Sequence, residues 1–215
     1  MSSFAHATHP PRILWRVIIP AALGGLGLFV SAISATASVG FYLGTFFTAA
    51  VWFATWWLCG NRAAMKGDFR REVPRGLIIG LGLIALFIVG ALIVRFIPLL
   101  AAPVDELLGN MRTDTVAITL LTLVVNGIGE ELFFRDVARR QFGKVMSPKA
   151  VLIATVLLYI AVTAAMGIPL LLVASVLIGG LAGMEAARSG NVISAITLHL
   201  TWSVGMAFLL PLIIN

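Results

Sequence analysis

The chain has 215 residues, 60% of them hydrophobic and only 11% charged, with a mean hydropathy of +1.05. Soluble domains are roughly half apolar, so this balance excludes an ordinary soluble globular protein and indicates a membrane protein. The net charge of +6 does not call for nucleic acid as a partner, because the basic residues fall in short segments between apolar runs, where membrane topology accounts for them.

In chain order, residues 1–11 read as a disordered lead, with His6 and His9 as tail residues rather than ligands, and residues 12–215 are expected to form one transmembrane helical domain. Arg12 and Arg16 accompany the first apolar run, 13–34. That run exceeds the roughly 7–15 residues of a signal-peptide hydrophobic region, so it reads as a span, although "SATAS" offers a cut after Ala37. Further runs follow at 39–58, 76–100, 114–134, 148–166, 168–187 and 192–213. On the criterion of about 20 apolar residues, the fold class is all-α: a polytopic membrane bundle of about seven helices. Small-residue spacings at Gly40/Gly44, Gly76/Gly80 and Gly179/Gly183 predict close helix approach.

Lys and Arg cluster on alternate connections. Arg12, Arg16, Arg62, Lys66, Arg70, Arg71, Arg75, Arg135, Arg139, Arg140, Lys144, Lys149 and Arg188 fall on one side, and only Arg112, with Arg95 near a span end, on the other. This asymmetry predicts that the N-terminus is cytoplasmic and the C-terminus outside, and the expected location of the multi-pass protein is the plasma (inner) membrane of a prokaryote. Cys59 is the single cysteine, so neither an internal disulfide nor a thiolate metal site is available.

The fourth run ends in "NGIGEELFFRD", which sets two adjacent glutamates where each carboxylate is costly to hold away from water. On a helix Glu131 and Arg135 are four residues apart with the acid first, the favourable order for an ion pair. Glu130 is turned about 100° away and stays free to act as a general base or acid. The last run carries His199, with Ser203 one turn further on the same face. An ionisable residue inside a span is a functional candidate by default. Glu130 and His199 are expected at similar depth, where they can meet. His199 is the only histidine in the spans and there is no HExxH, so no metal or other cofactor is expected. Asp136 and Glu185, near span ends, read as solvated.

"EELFFR" resembles the EExxxR signature of the CAAX protease and bacteriocin-processing (CPBP) family of intramembrane proteases. "HLTWS" resembles its closing HxxxN motif, and "GGLAGMEAARSGNVISAITLH" is similar to the glycine-rich span, short turn and helix that deliver that histidine. The resemblance covers about 114–213. It implies a CPBP/CAAX-protease-like bundle with Glu130 as the water-activating base, Glu131 and Arg135 as a structural pair, and His199 as oxyanion support. Two positions depart from the family. Its FxxxH motif falls on "YIAVT", with Thr163 in place of histidine, and its final asparagine is Ser203. A threonine hydroxyl can hold water but cannot accept its proton at neutral pH, so base work falls on Glu130. Glu130, Thr163 and His199 are expected to line one water-accessible cavity. The expected function is hydrolysis of a peptide bond in a membrane-associated peptide or membrane protein. The alternative is a catalytically weak or inactive family member serving as a membrane-protein binding partner, chaperone or scaffold in the lipid bilayer.

Overall fold

The computed structural model describes residues 10–35, 37–113 and 116–213. Residues 1–9 of the expected lead, with His6 and His9, and Asp114 lie outside the described residues. Every regular element among the described residues is a helix. Seven are long and apolar enough to cross a membrane: α1 (Leu14–Ile33), α2 (Val39–Cys59), α3 (Phe69–Val94), α5 (Ala117–Phe142), α6 (Pro148–Met166), α7 (Pro169–Ser189) and α8 (Ile193–Leu212). Between α3 and α5 lies α4 (Pro98–Thr113).

Local chemistry accounts for several boundaries. Ser38 caps α2 by accepting from the Phe41 N–H at 3.2 Å, and Asp68 caps α3 by accepting from the Arg70 N–H at 3.0 Å, each satisfying an otherwise orphaned donor. Pro148 and Pro169 open α6 and α7, where the missing N–H costs nothing. Gly190 ends α7 at φ 71°, a left-handed conformation that glycine adopts without strain.

Three expectations are corrected. The third span begins at Phe69 rather than residue 76, because Asp68 starts the helix and the charged first turns are tied down by partners that hydropathy does not register. It ends at Val94, and the stretch taken as its end and an outer loop is the separate helix α4, which packs Val104 against Ala91 and Ile168. The fourth span runs on past residue 134 to Phe142.

The helices alternate in direction, so the ends of α2, α5 and α7 and the starts of α3, α6 and α8 gather at one basic end. Contacts tie that end together: the Val192 N–H donates to Ala64 O at 2.9 Å, and Arg140 donates to Cys59 O at 2.7 Å. The helix α8 packs most extensively on α3, and α1 on α2. A Cβ at Gly76 would stand 2.6 Å from Ser194 O, and one at Gly80 2.9 Å from Leu198 O. The missing side chains thus let α3 lie directly on the backbone of the helix that carries His199. Large apolar side chains such as Leu43, Ile78 and Leu212 are exposed around the outside, as expected where lipid replaces water.

Candidate active site

Glu130 and Glu131 sit about three turns before the basic end of α5 at Phe142. Immediately after them Leu132–Ala138 is wound as a π-helix, and all seven of its residues are buried. Such wider turns recur at functional sites because they re-aim side chains within a continuous helix. Gly127 precedes the pair, and a Cβ there would meet Leu200 Cδ2 at 2.8 Å, so its absence lets α5 close on α8.

The two carboxylates have different partners. Glu131, wholly buried, lies 3.1 Å from Arg135 Nε through Oε2 and 2.8 Å from His199 Nδ1 through Oε1. A carboxylate only accepts, so Nδ1 carries a proton. His199 Nε2 then faces Glu130 Oε2 at 4.0 Å, a separation that one bridging water spans. Glu130 keeps 16% of its side-chain surface exposed and accepts a 2.6 Å hydrogen bond from the Tyr159 hydroxyl. The structure therefore gathers Glu130, Glu131, Arg135 and His199 into one cluster.

Arg135 is only 1% exposed, and its Nη1 and Nη2 find no hydrogen-bond partner among the described residues. Its charge is met by Glu131 and by aromatic faces, with Cζ 4.9 Å from the Tyr159 ring centroid and 5.7 Å from that of Phe134. Such contacts strengthen away from water. Trp52 stacks on Phe133 at 4.4 Å and closes the box from α2.

The two departures from the family pattern fall outside this contact set. Thr163 is half-buried at the end of the α-helical part of α6, one turn and about 6 Å beyond Tyr159. It is Tyr159, four residues earlier, that reaches the carboxylate. Ser203 donates to the His199 carbonyl one turn back at 2.8 Å. Glu130, Thr163 and His199 are the residues expected to line one cavity. A cavity of about 520 Å³ opens on the side of the cluster away from the basic end, between α3, α5, α7 and α8. Trp202 and Ser203 line it, with Leu86, Phe87, Leu123 and Met206, and those three residues do not. Among the described residues no group of three or more His, Cys, Asp and Glu side chains is arranged to hold a metal ion.

Residues 112–205 match the family model described as type II CAAX prenyl endopeptidase Rce1-like. Over this stretch the chain is similar to Rce1-like sequences. The match covers less than half of the chain, from the end of α4 into α8, and includes the whole cluster. No curated protein and no solved structure matches the chain.

The matched segment is held in place by helices that precede it. Asp136, expected to be solvated, is fully buried. It accepts from Trp56 Nε1 at 3.0 Å, from the Asn61 N–H at 2.7 Å and from Arg140 Nε at 2.5 Å. One carboxylate thereby fixes the end of α2 to α5. Glu185, also expected in solvent, is buried too. It accepts from Arg75 at 2.7 Å, Arg188 at 2.9 Å and Ser194 at 2.9 Å, while Arg188 also binds Glu72 of α3. Ser194 lies five residues before His199, so this network sets the seating of α8. Sequence reading missed both carboxylates because their partners lie 75 and 110 residues away. Tyr159 was missed in its role, although it stands at the first position of the FxxxH-like motif.

Proposed function

We propose that this protein is an intramembrane endopeptidase that hydrolyses a peptide bond of a membrane-associated substrate, with Glu130 as the base that activates water. The observation that carries the reading is the pairing of roles in the cluster. Arg135 and Glu131 fix His199 through Nδ1, and this leaves Nε2 and Glu130 Oε2 facing one another at 4.0 Å. A water between them gives a proton to Glu130 while its oxygen bonds to the carbonyl carbon. The carbonyl oxygen becomes an oxyanion, which His199 in its doubly protonated form stabilises through Nε2–H. On collapse the C–N bond breaks and the departing amine takes the proton from Glu130. No step uses a metal. The apolar cavity beside the cluster suits a lipid-like or apolar part of the substrate, which accords with the prenyl class in the description of the matched family. With the basic end cytoplasmic, substrate enters from the bilayer or the cytoplasmic side.

The test is cleavage in proteoliposomes of an internally quenched farnesylated CAAX peptide, together with sequencing of new peptide termini after incubation with vesicles of native membranes. Loss of the base in Glu130→Gln is expected to slow cleavage by at least about a hundredfold. Absence of new termini with the unaltered protein, or an unchanged rate in the variant, sinks the reading. One observation favours the second reading, a binding partner or scaffold with little hydrolytic power: the Ser203 proton is committed to the His199 carbonyl rather than to an oxyanion. In that case the protein captures membrane partners equally well with and without Glu130→Gln.

A further inference from the structure

The cluster contains a group that the motif resemblance does not supply. Tyr159 and Thr163 lie four residues apart on α6, so their side chains leave the same face of the helix. Long helical side chains lean back toward the helix start, and Tyr159 leans toward Glu130, placing its hydroxyl 2.6 Å from Oε2. That oxygen is the same one that faces His199 Nε2 at 4.0 Å. A single hydrogen bond thus fixes which carboxylate oxygen looks at the imidazole. The Tyr159 ring is buried and packed 4.8 Å from Phe134, under the Arg135 guanidinium, and against Gly179, where a Cβ would stand 3.1 Å from Tyr159 Cδ1. A packed ring and a short bond from its tip define the hydroxyl position far better than a solvated side chain would.

Resting on the peptidase reading above, we propose that Tyr159 is the positioning residue for Glu130, its hydroxyl doing from one turn earlier what an imidazole at position 163 would otherwise do. Thr163 at the motif's last position therefore does not leave the carboxylate without a partner. The hydroxyl holds Glu130 Oε2 toward His199 and the water between them. It transfers no proton itself and returns unchanged at the end of the cycle.

The experiment compares the unaltered protein with Tyr159→Phe, Thr163→His and the double variant in proteoliposomes on the quenched farnesylated peptide. It adds infrared difference spectra against Glu130→Gln to isolate the Glu130 carboxyl band. Phenylalanine keeps the ring contacts, so thermal unfolding should not change, while a carboxylate free to rotate should lower kcat by up to about a hundredfold with KM little altered. The Glu130 band should move in Tyr159→Phe, and the double variant, which brings imidazole to position 163, should recover most of the lost rate. Cleavage that Tyr159→Phe leaves untouched, or a lost rate with an unmoved Glu130 band, overturns the positioning role while the peptidase reading stands. A double variant as slow as Tyr159→Phe overturns the equivalence of the two motif positions. No cleavage by the unaltered protein, indistinguishable from Glu130→Gln, overturns the peptidase reading and this role with it.

Discussion

At Arg135 a guanidinium sits in a box of aromatic rings with almost no exposed surface, held to Glu131 at 3.1 Å. Neither charge has a solvent to return to if the other is removed. Arg135→Ala is therefore expected to destabilise the protein by about 3–5 kcal/mol, the usual cost of leaving one member of a buried pair alone, measured by unfolding in detergent micelles. Arg135→Lys should not restore it, because a point-charge ammonium cannot lie flat against Tyr159 while meeting Glu131. The ion pair itself was legible from the four-residue spacing of Glu131 and Arg135. What that spacing does not contain is the third member, since His199 binds the same glutamate from 68 residues away.

Among the elements, α7 and its turn show how a single backbone conformation sets the site. Gly190, at φ 71°, reverses the chain into α8, and Ser189 and Asn191 bond each other across it. An L residue in this conformation costs about 1–2 kcal/mol, so Gly190→Ala is expected to lower the unfolding midpoint and slow any activity that needs His199 in place. Gly180→Ala, a helical position with open space around its Cβ, is the control and should leave the midpoint unchanged or slightly raised. The Ser-Gly turn and the delivering helix were visible in the sequence. By contrast α4 was not: its apolar residues are interrupted by Pro103, Asp105 and Glu106, a composition that reads as a loop until a neighbouring helix end is there to cover Val104.

For the whole molecule, the decisive asymmetry is the gathering of basic residues at the end of the bundle that holds the starts of α3, α6 and α8. Positive segments stay on the cytoplasmic side, so we expect the Lys144 and Arg188 end to be cytoplasmic. In a Cys59→Ser background, Ile97→Cys should react with a membrane-impermeant maleimide on intact cells, and Met146→Cys only after permeabilisation. The reverse pattern would overturn the orientation and move substrate entry to the other face. Both positions are exposed, so labelling reports sidedness rather than burial.

The sequence by itself determined the all-helical class with about seven apolar spans, and which connections share a side, while the ends of the third and fourth spans lay six to eight residues from where hydropathy put them. Hydropathy and charge are properties of short windows, and lipid imposes them segment by segment. Only the tertiary structure decided that Glu131 rather than Glu130 bonds His199 at 2.8 Å, that Tyr159 reaches Glu130, and that Asp136 and Glu185 are buried ties between helices. These depend on how each helix is rotated and how closely it packs, and rotation follows from contacts between residues 29 to 116 positions apart, which no local window of the chain contains.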